Sequence, residues 1–318
     1  MWKLPNEESL NSIRLEPQTL IVVTGPTGVG KTDLVLEVAE SLNIPIINAD
    51  SRQIYAELPI GTAAPTKEQL AKVKHYFVGN LHITDYFSAS LYEEKVLELM
   101  AQQPQTSFIL SGGSMMYIDA VCNSIDEMPT ISDAVRTEMK RRLEKEGLET
   151  LVDELKSLDY EHWKIVDRKN PRRVIHALEI CHQSGTTYTS FRKRKKKKRP
   201  FKIIKIGLNR PREELYSRIN QRTRNMIDDG LIKEALNVYS YRHLNALNTV
   251  GYKEMFDYLD GLTTLDETIL KIQSNTRRYA RKQLTWLKKD TSMRWFEPND
   301  VEELLNYITN NLSSYQIH

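Results

Sequence analysis

The sequence predicts an α/β fold: a parallel sheet of the phosphate-loop type with helices on both faces, interrupted by an all-helical insertion domain. Three observations predict it. Short apolar runs ending in turn residues alternate with stretches of helical period. The first such run leads into Gly25-Pro-Thr-Gly-Val-Gly-Lys31-Thr32, and strand-like sequence disappears between about residues 123 and 200.

Thr19-Leu-Ile-Val-Val-Thr-Gly25, Ile44-Pro-Ile-Ile-Asn-Ala-Asp50 and Ser107-Phe-Ile-Leu-Ser-Gly-Gly113 read as buried parallel strands, being short, apolar and closed by turn residues. Helical periods fill 31–42 and 91–103 between them. Charged amphipathic helices follow at 133–146, 148–157 and 171–183. The next strand-like run is Phe201-Lys-Ile-Ile-Lys-Ile-Gly-Leu208, followed by helices at 212–229, 231–242 and about 265–288. The last of these opens on a capping-box pattern, Thr264-Leu-Asp-Glu267, and a short strand is expected at 293–296. The expected organisation is therefore an α/β core at 1–122, a helical insertion at 123–200 and the rest of the core with C-terminal helices at 201–318.

With 318 residues, 40% of them hydrophobic, the chain can bury a sizeable core. Neither a signal-peptide stretch nor a run of membrane-spanning length is present, so the expected address is the cytoplasm, with no membrane partner. Two isolated cysteines, Cys122 and Cys181, fit neither a disulfide framework nor a zinc site and read as buried thiols. Net charge is only +3, yet Arg192-Lys-Arg-Lys-Lys-Lys-Lys-Arg199 is an unbroken basic octet, either an RNA contact or a solvated loop.

The glycine-rich loop follows a predicted strand and opens a predicted helix, the context that makes it a phosphate site. Along Gly25, Pro26, Thr27, Gly28, Val29 and Gly30 the glycines let backbone amides converge on phosphate oxygens. Lys31 adds a point charge, and Thr32 offers a hydroxyl to Mg²⁺. Most such proteins place a magnesium-binding Asp at the end of a second buried strand. Here the run at 107–110 ends in Ser111-Gly-Gly-Ser114, while the run at 44–49 ends in Asp50. From the residues alone Asp50 is a metal ligand, a helix cap or a general base.

Six blocks in order carry a family resemblance. They are the loop; Asp50-Ser-Arg-Gln-Ile-Tyr55 with Ile60-Gly-Thr-Ala63; Gly112-Gly-Ser-Met-Met-Tyr117; Pro171-Arg-Arg-Val-Ile-His-Ala-Leu-Glu179; Val250-Gly-Tyr-Lys-Glu254; and Thr276-Arg-Arg-Tyr-Ala-Arg-Lys-Gln-Leu-Thr-Trp286. Over nearly its whole length the chain resembles the bacterial tRNA dimethylallyltransferases. The resemblance implies transfer of a dimethylallyl group from dimethylallyl diphosphate to N6 of the adenosine at tRNA position 37, immediately 3′ of the anticodon, with diphosphate released. It implies Asp50 as the base that takes the N6 proton. Lys31, the loop, Mg²⁺ and Arg222 would stabilise the leaving diphosphate.

By the same resemblance the anticodon stem-loop of tRNA is contacted by Asp50, Ser51, Arg52 and Gln53, by Ser114 and Arg136, by Arg172, Arg173, Val174, Ile175 and His176, and by Asn248, Thr249, Val250, Gly251, Tyr252 and Lys253. Arg141 and Arg142 are further candidates for the stem, since RNA affinity rests largely on phosphate contacts. His75 matches a family histidine but reads as a structural hydrogen-bonding residue. A monomer is expected. Three other readings share parts of the pattern: an adenylate isopentenyltransferase acting on free AMP, ADP or ATP; a phosphate-loop small-molecule kinase; and a non-enzymatic RNA-binding protein. The intact Lys31-Thr32 pair argues against the last, and Ser111-Gly-Gly113 in place of a carboxylate argues against the kinase.

Overall fold

The structure is a computed structural model that describes residues 18–126, 128–193 and 197–313. In chain order the elements are β1 (Thr19–Thr24), α1 (Lys31–Leu42), β2 (Ile46–Asn48), α2 (Lys67–Lys72), β3 (His75–Tyr76), α3 (Ala89–Gln102), β4 (Phe108–Gly112), α4 (Met115–Asn123), α5 (Asp133–Leu158), α6 (Tyr160–Ile165), α7 (Pro171–Ser184), α8 (Tyr188–Phe191), β5 (Lys202–Leu208), α9 (Arg212–Asp228), α10 (Leu231–Asn237), α11 (Tyr252–Leu259), α12 (Leu265–Leu287), β6 (Arg294–Phe296) and α13 (Val301–Ser313). They fall into two compact units: residues up to Cys122 together with those from Arg199 onward, and Asn123–Lys198.

In the first unit the described strands form one parallel sheet in the order β3-β2-β4-β1-β5-β6. The predicted α/β class is therefore the observed one. β1 is buried along its whole length, as a strand covered on both faces must be. Its alternation decides the layers. Ile21 and Val23 pack with α1, α9, α12 and α13, whereas Leu20 and Val22 pack with α3 and α4. A third cluster joins Ile54 and Leu58 to Leu231, Tyr252, Phe256 and Ile272, so the loop after β2 is moored on α10, α11 and α12.

The helical unit has its own core, in which Val174, Ala177 and Leu178 of α7 pack on Met139, Leu151 and Leu155 of α5. The two helices expected at 133–146 and 148–157 are both present, with Gly147 between them at φ 81°, ψ 167°, outside helical geometry. Buried Asp159 staples α6 to α8, its carboxylate accepting from His162 N–H (3.0 Å) and from Thr189 N–H (2.7 Å) and Oγ1 (2.8 Å).

Some expectations differ from what is observed. The helix expected over 231–242 stops at Asn237 and continues as a 3₁₀ turn at Tyr239–Tyr241, where β-branched and aromatic residues weaken helix propensity. The two-residue β3 is too short to leave a period. Val301–Ser313 adds a helix beyond those expected and packs Leu304 and Ile308 into the sheet core. Arg199, the last residue of the basic octet, is tied into the sheet unit. It donates to the Val121 and Ala120 carbonyls and to Glu93, whose side chain is only 10% exposed. Arg194, Lys195 and Lys196 of the octet lie outside the described residues. Cys122 and Cys181 are buried free thiols, as expected.

Candidate active site

The loop from Gly25 to Thr32 leaves the carboxyl end of β1 and enters α1. Gly30, at φ 102°, caps that helix in the left-handed region, where an L side chain would be strained. Sheet order places β4 and β5 on either side of β1, so the loop opens into the crevice at the carboxyl ends of the strands. A cavity of about 460 Å³ lies there, walled by Thr27, Gly28, Gly30, Lys31, Thr32, Asp33, Asp50, Gln53, Thr62, His75, Gly112, Gly113, Arg218, Arg222, Tyr279 and Gln283, among others.

Positive charge gathers on the loop side. Lys31 Nζ donates to the carbonyls of Gly25 and Pro26, both at 2.9 Å. Burial pulls its pKa down to about 7, and the nearby Arg222 adds to the effect while Asp50 opposes it. Arg222 Nη2 donates to Thr27 Oγ1 at 2.7 Å, and Arg218, one turn earlier on α9, donates from Nε to the Gly28 carbonyl at 3.1 Å. Burial lowers the pKa of Arg222, Asp50 counteracts that, and Arg218 reinforces it. Arg210 Nε donates to the Val29 carbonyl at 2.7 Å from behind the loop. Clustered cations with partly desolvated charge are an arrangement suited to a polyanion.

The opposite wall is built from the ends of β2 and β4. Asp50 Oδ1 accepts the N–H groups of Arg52 (2.9 Å) and Gln53 (3.4 Å), which turns the chain sharply after β2. Its Oδ2 lies 3.7 Å from where a Cβ on Gly113 would stand. Ser114 Oγ accepts from Ser51 N–H (2.8 Å) and donates to Ser51 Oγ (3.0 Å), latching the two strand ends together. Gln53 Nε2 donates to the carbonyls of Thr62 and Ala63, both at 3.0 Å, and so holds a third side of the cavity. The His75 ring donates from Nδ1 to the Val73 carbonyl at 2.8 Å, in keeping with a structural role, and burial lowers its pKa.

Among the predicted RNA contacts, the sheet unit brings Asp50, Gln53 and the loop into one cavity and Ser114 beside it. The block from Asn248 to Lys253 divides. Asn248 and Lys253 are exposed and Thr249 and Val250 half-buried, but Gly251 and Tyr252 are buried. Tyr252 is 0% exposed, and its hydroxyl donates to Glu234 at 2.6 Å. The same carboxylate accepts Ile60 and Gly61 N–H, both at 2.8 Å. A Cβ at Gly61 would stand 2.7 Å from the Tyr252 ring, so the two residues require each other. Tyr252 therefore packs against the loop at 58–63 and, through Glu234, helps to hold it.

Within the helical unit, Arg172, Arg173 and His176 are exposed on α7 and Ile175 is half-buried. Val174 is 0% exposed in the core of that unit. The reason is the helical period: the residue between two exposed arginines and an exposed histidine faces inward. Arg142 is held by Glu146 (2.8 Å) and Glu154 (2.9 Å), and Arg141 by Glu138 (2.6 Å), so both are occupied within their own unit. Arg136 donates from Nε to the Ile131 carbonyl at 3.4 Å.

Four contributors were not singled out from sequence. Arg218 had a signal, its four-residue spacing from Arg222 on one helical face. Tyr279 and Gln283 sit inside the block 276–286, whose family resemblance gives neither an individual role. The Tyr279 hydroxyl donates to the Gly113 carbonyl at 3.3 Å, and burial pushes its pKa up to about 12. Glu234 left no signal, because its partners come from remote segments.

Fold and cavity together define a protein of phosphate-loop-like α/β fold in which a cluster of cations faces a carboxylate across one crevice. A family model described as IPP transferase matches residues 53–290. The tRNA dimethylallyltransferase 1 of Phocaeicola vulgatus is 60% identical over 295 residues, covering 92% of this chain and 98% of the relative. That of Bacteroides thetaiotaomicron is 56% identical over 292 residues, covering 91% and 95%. Among solved structures, the full-length tRNA isopentenylpyrophosphate transferase of Bacillus halodurans superposes with a TM-score of 0.69 at 32% identity, covering 93% of this chain and 97% of that one. A eukaryotic dimethylallyltransferase acting on tRNA shares the fold, with a TM-score of 0.73 at 20% identity over 94% of this chain and 77% of that one. The chain belongs to the IPP transferase family.

Proposed function

We propose that this protein transfers a dimethylallyl group from dimethylallyl diphosphate to tRNA, at N6 of the adenosine next to the anticodon, position 37. One observation carries the reading: a single cavity joins the phosphate loop, Lys31 and Arg222 to the carboxylate of Asp50. The names of the relatives support tRNA as acceptor, and they include no enzyme of free adenylates among those compared above.

Adenine's exocyclic amine has a delocalised lone pair and attacks carbon poorly until a base removes its proton. Asp50 is that base. The target adenosine leaves the anticodon-loop stack to reach it, as bases do in enzymes that modify them. As the bond between the allylic carbon and oxygen breaks, negative charge grows on the diphosphate, and the loop amides, Lys31, Arg222 and Arg218 are the donors clustered on that side of the cavity to receive it. The residues fit Mg²⁺ as an ion shared with substrate: Thr32 lines the anion cradle, and no cluster of His, Cys, Asp or Glu among the described residues could hold a metal unaided. Thr32 and the diphosphate oxygens would hold the ion, which neutralises charge on the leaving group.

Asn248 and Lys253 beside the sheet, and Arg172, Arg173 and His176 in the helical unit, are the exposed candidates for tRNA contact. The chain acts as a monomer in this reading, which sedimentation in the presence and absence of tRNA would check. The deciding experiment incubates the protein with dimethylallyl diphosphate and either unmodified tRNA or AMP. Modification of tRNA alone is expected. Prenylation of AMP instead would make the protein an adenylate isopentenyltransferase, and phosphoryl transfer from ATP to a small molecule would make it a kinase.

A further inference from the structure

Gln283 lies on the inward face of α12, near buried Ala280 and Leu287, and is itself only 1% exposed. A polar side chain so deeply placed needs partners for both ends of its amide. Oε1 accepts Thr27 N–H at 2.8 Å, and Nε2 donates to the Gly113 carbonyl at 2.7 Å. The orientation is fixed by chemistry, since an N–H only donates and a carbonyl only accepts. Thr27 belongs to the phosphate loop, and its hydroxyl accepts from Arg222 at 2.7 Å. Gly113 ends the opposite wall, next to Asp50 Oδ2. One buried amide thus connects the cationic side of the cavity with the carboxylate side.

We propose that Gln283 is a positioning residue that sets the distance and angle between the phosphate loop with Arg222 and the wall carrying Asp50. The proposal rests on the reading of this cavity as a transfer site. The loop and the Asp50 turn leave different strands, β1 and β2. Transfer requires the allylic carbon and the acceptor nitrogen to meet at about 3–3.5 Å, and misplacement by about 1 Å costs about 10²-fold in rate. Gln283 ties both sides through main-chain atoms, so it governs their relation rather than the affinity of either.

The test measures single-turnover transfer, affinity for inorganic diphosphate, affinity for tRNA, and Tm in Q283M and Q283E, with D50N alongside. Q283M keeps the length and bulk and removes both hydrogen bonds. It is expected to keep both affinities within about threefold while transfer falls about 10²-fold. A lower Tm with unchanged transfer by the folded protein would overturn the proposal, and so would loss of diphosphate affinity in step with rate. In Q283E the ionised carboxylate accepts from Thr27 but cannot donate to Gly113, whereas the protonated acid can do both. Its rate relative to the unsubstituted protein should therefore rise as pH falls. Lys31, Asp50, Arg222 and Tyr279 face the same space in both proteins, and a ratio that stays flat with pH would count against the proposal. If D50N is inactive and Q283M transfers normally, the positioning role alone fails. If D50N transfers normally, the reading of the cavity fails and the proposal with it.

Discussion

Asp50 and Lys31 face each other across the cavity with opposite demands. Asp50→Asn retains the Oδ1 acceptor that makes the turn with Arg52 and Gln53, so the fold and both ligand affinities should persist. Transfer should fall by about 10²–10⁴-fold, because an amide cannot take the proton. Near-normal single-turnover transfer would remove Asp50 from the mechanism. Lys31 offers a test in protons. Its pKa of about 7 lies below the ordinary 10.5, so between those values the native state binds fewer protons than the unfolded chain. Stability of the free protein should thus rise with pH through that window, and the full penalty for charging Lys31 is present below about 7. A bound diphosphate reverses the preference by favouring the charged amine. Calorimetric titration with diphosphate near pH 8, in buffers of different ionisation enthalpy, should register proton uptake, and K31A should not. Tyr252 is the opposite kind of residue. Tyr252→Phe strips one donor from buried Glu234 and should cost about 1–3 kcal/mol in urea unfolding. With the loop at 58–63 still held by two N–H bonds, tRNA affinity of the folded variant should be unchanged. A selective loss of tRNA binding at full stability would instead make Tyr252 an RNA contact.

Helices show why a motif in sequence becomes a mixture of roles in space. On α7, Pro171 and the Asn170 cap fix the start, after which Arg172, Arg173 and His176 face solvent while Val174, Ala177 and Leu178 face the core. Neutralising the two arginines to glutamine should leave dimethylallyl diphosphate binding untouched. The slope of log K against log salt for tRNA should shrink by about 2 if each contacts one phosphate. An unaltered slope would exclude both. On α12 the capping box at Thr264 and Glu267 was legible because its partners are three residues apart. Gln283 and Tyr279 on the same helix were not legible as site residues, since what they touch, Thr27 and Gly113, lies far away in the chain. Local rules report local partners.

The whole molecule should respond to its ligand as a unit. On the proposed reading diphosphate binds the folded loop and not the unfolded chain, so at 100 times its Kd it should add about 2.7 kcal/mol to stability, seen as a rise in Tm that K31A or R222A diminishes. An equal rise in those variants would place the anion elsewhere. Much of the architecture was determined by the sequence alone: the parallel strands from apolar runs closed by turn residues, the phosphate loop from its glycines and its place between strand and helix, and the helical character of residues 133–183. These depend on neighbours a few residues apart. Only the tertiary structure decided which residues of a recognised block meet the cavity and which carry the core. It turned Tyr252 and Val174 inward, occupied Arg141 and Arg142 with nearby carboxylates, brought Arg218 to the loop, and ran Gln283 between Thr27 and Gly113. The physical reason is the same in each case: burial and hydrogen-bond satisfaction are properties of positions in space, and the partners that confer them come from segments far apart in the chain.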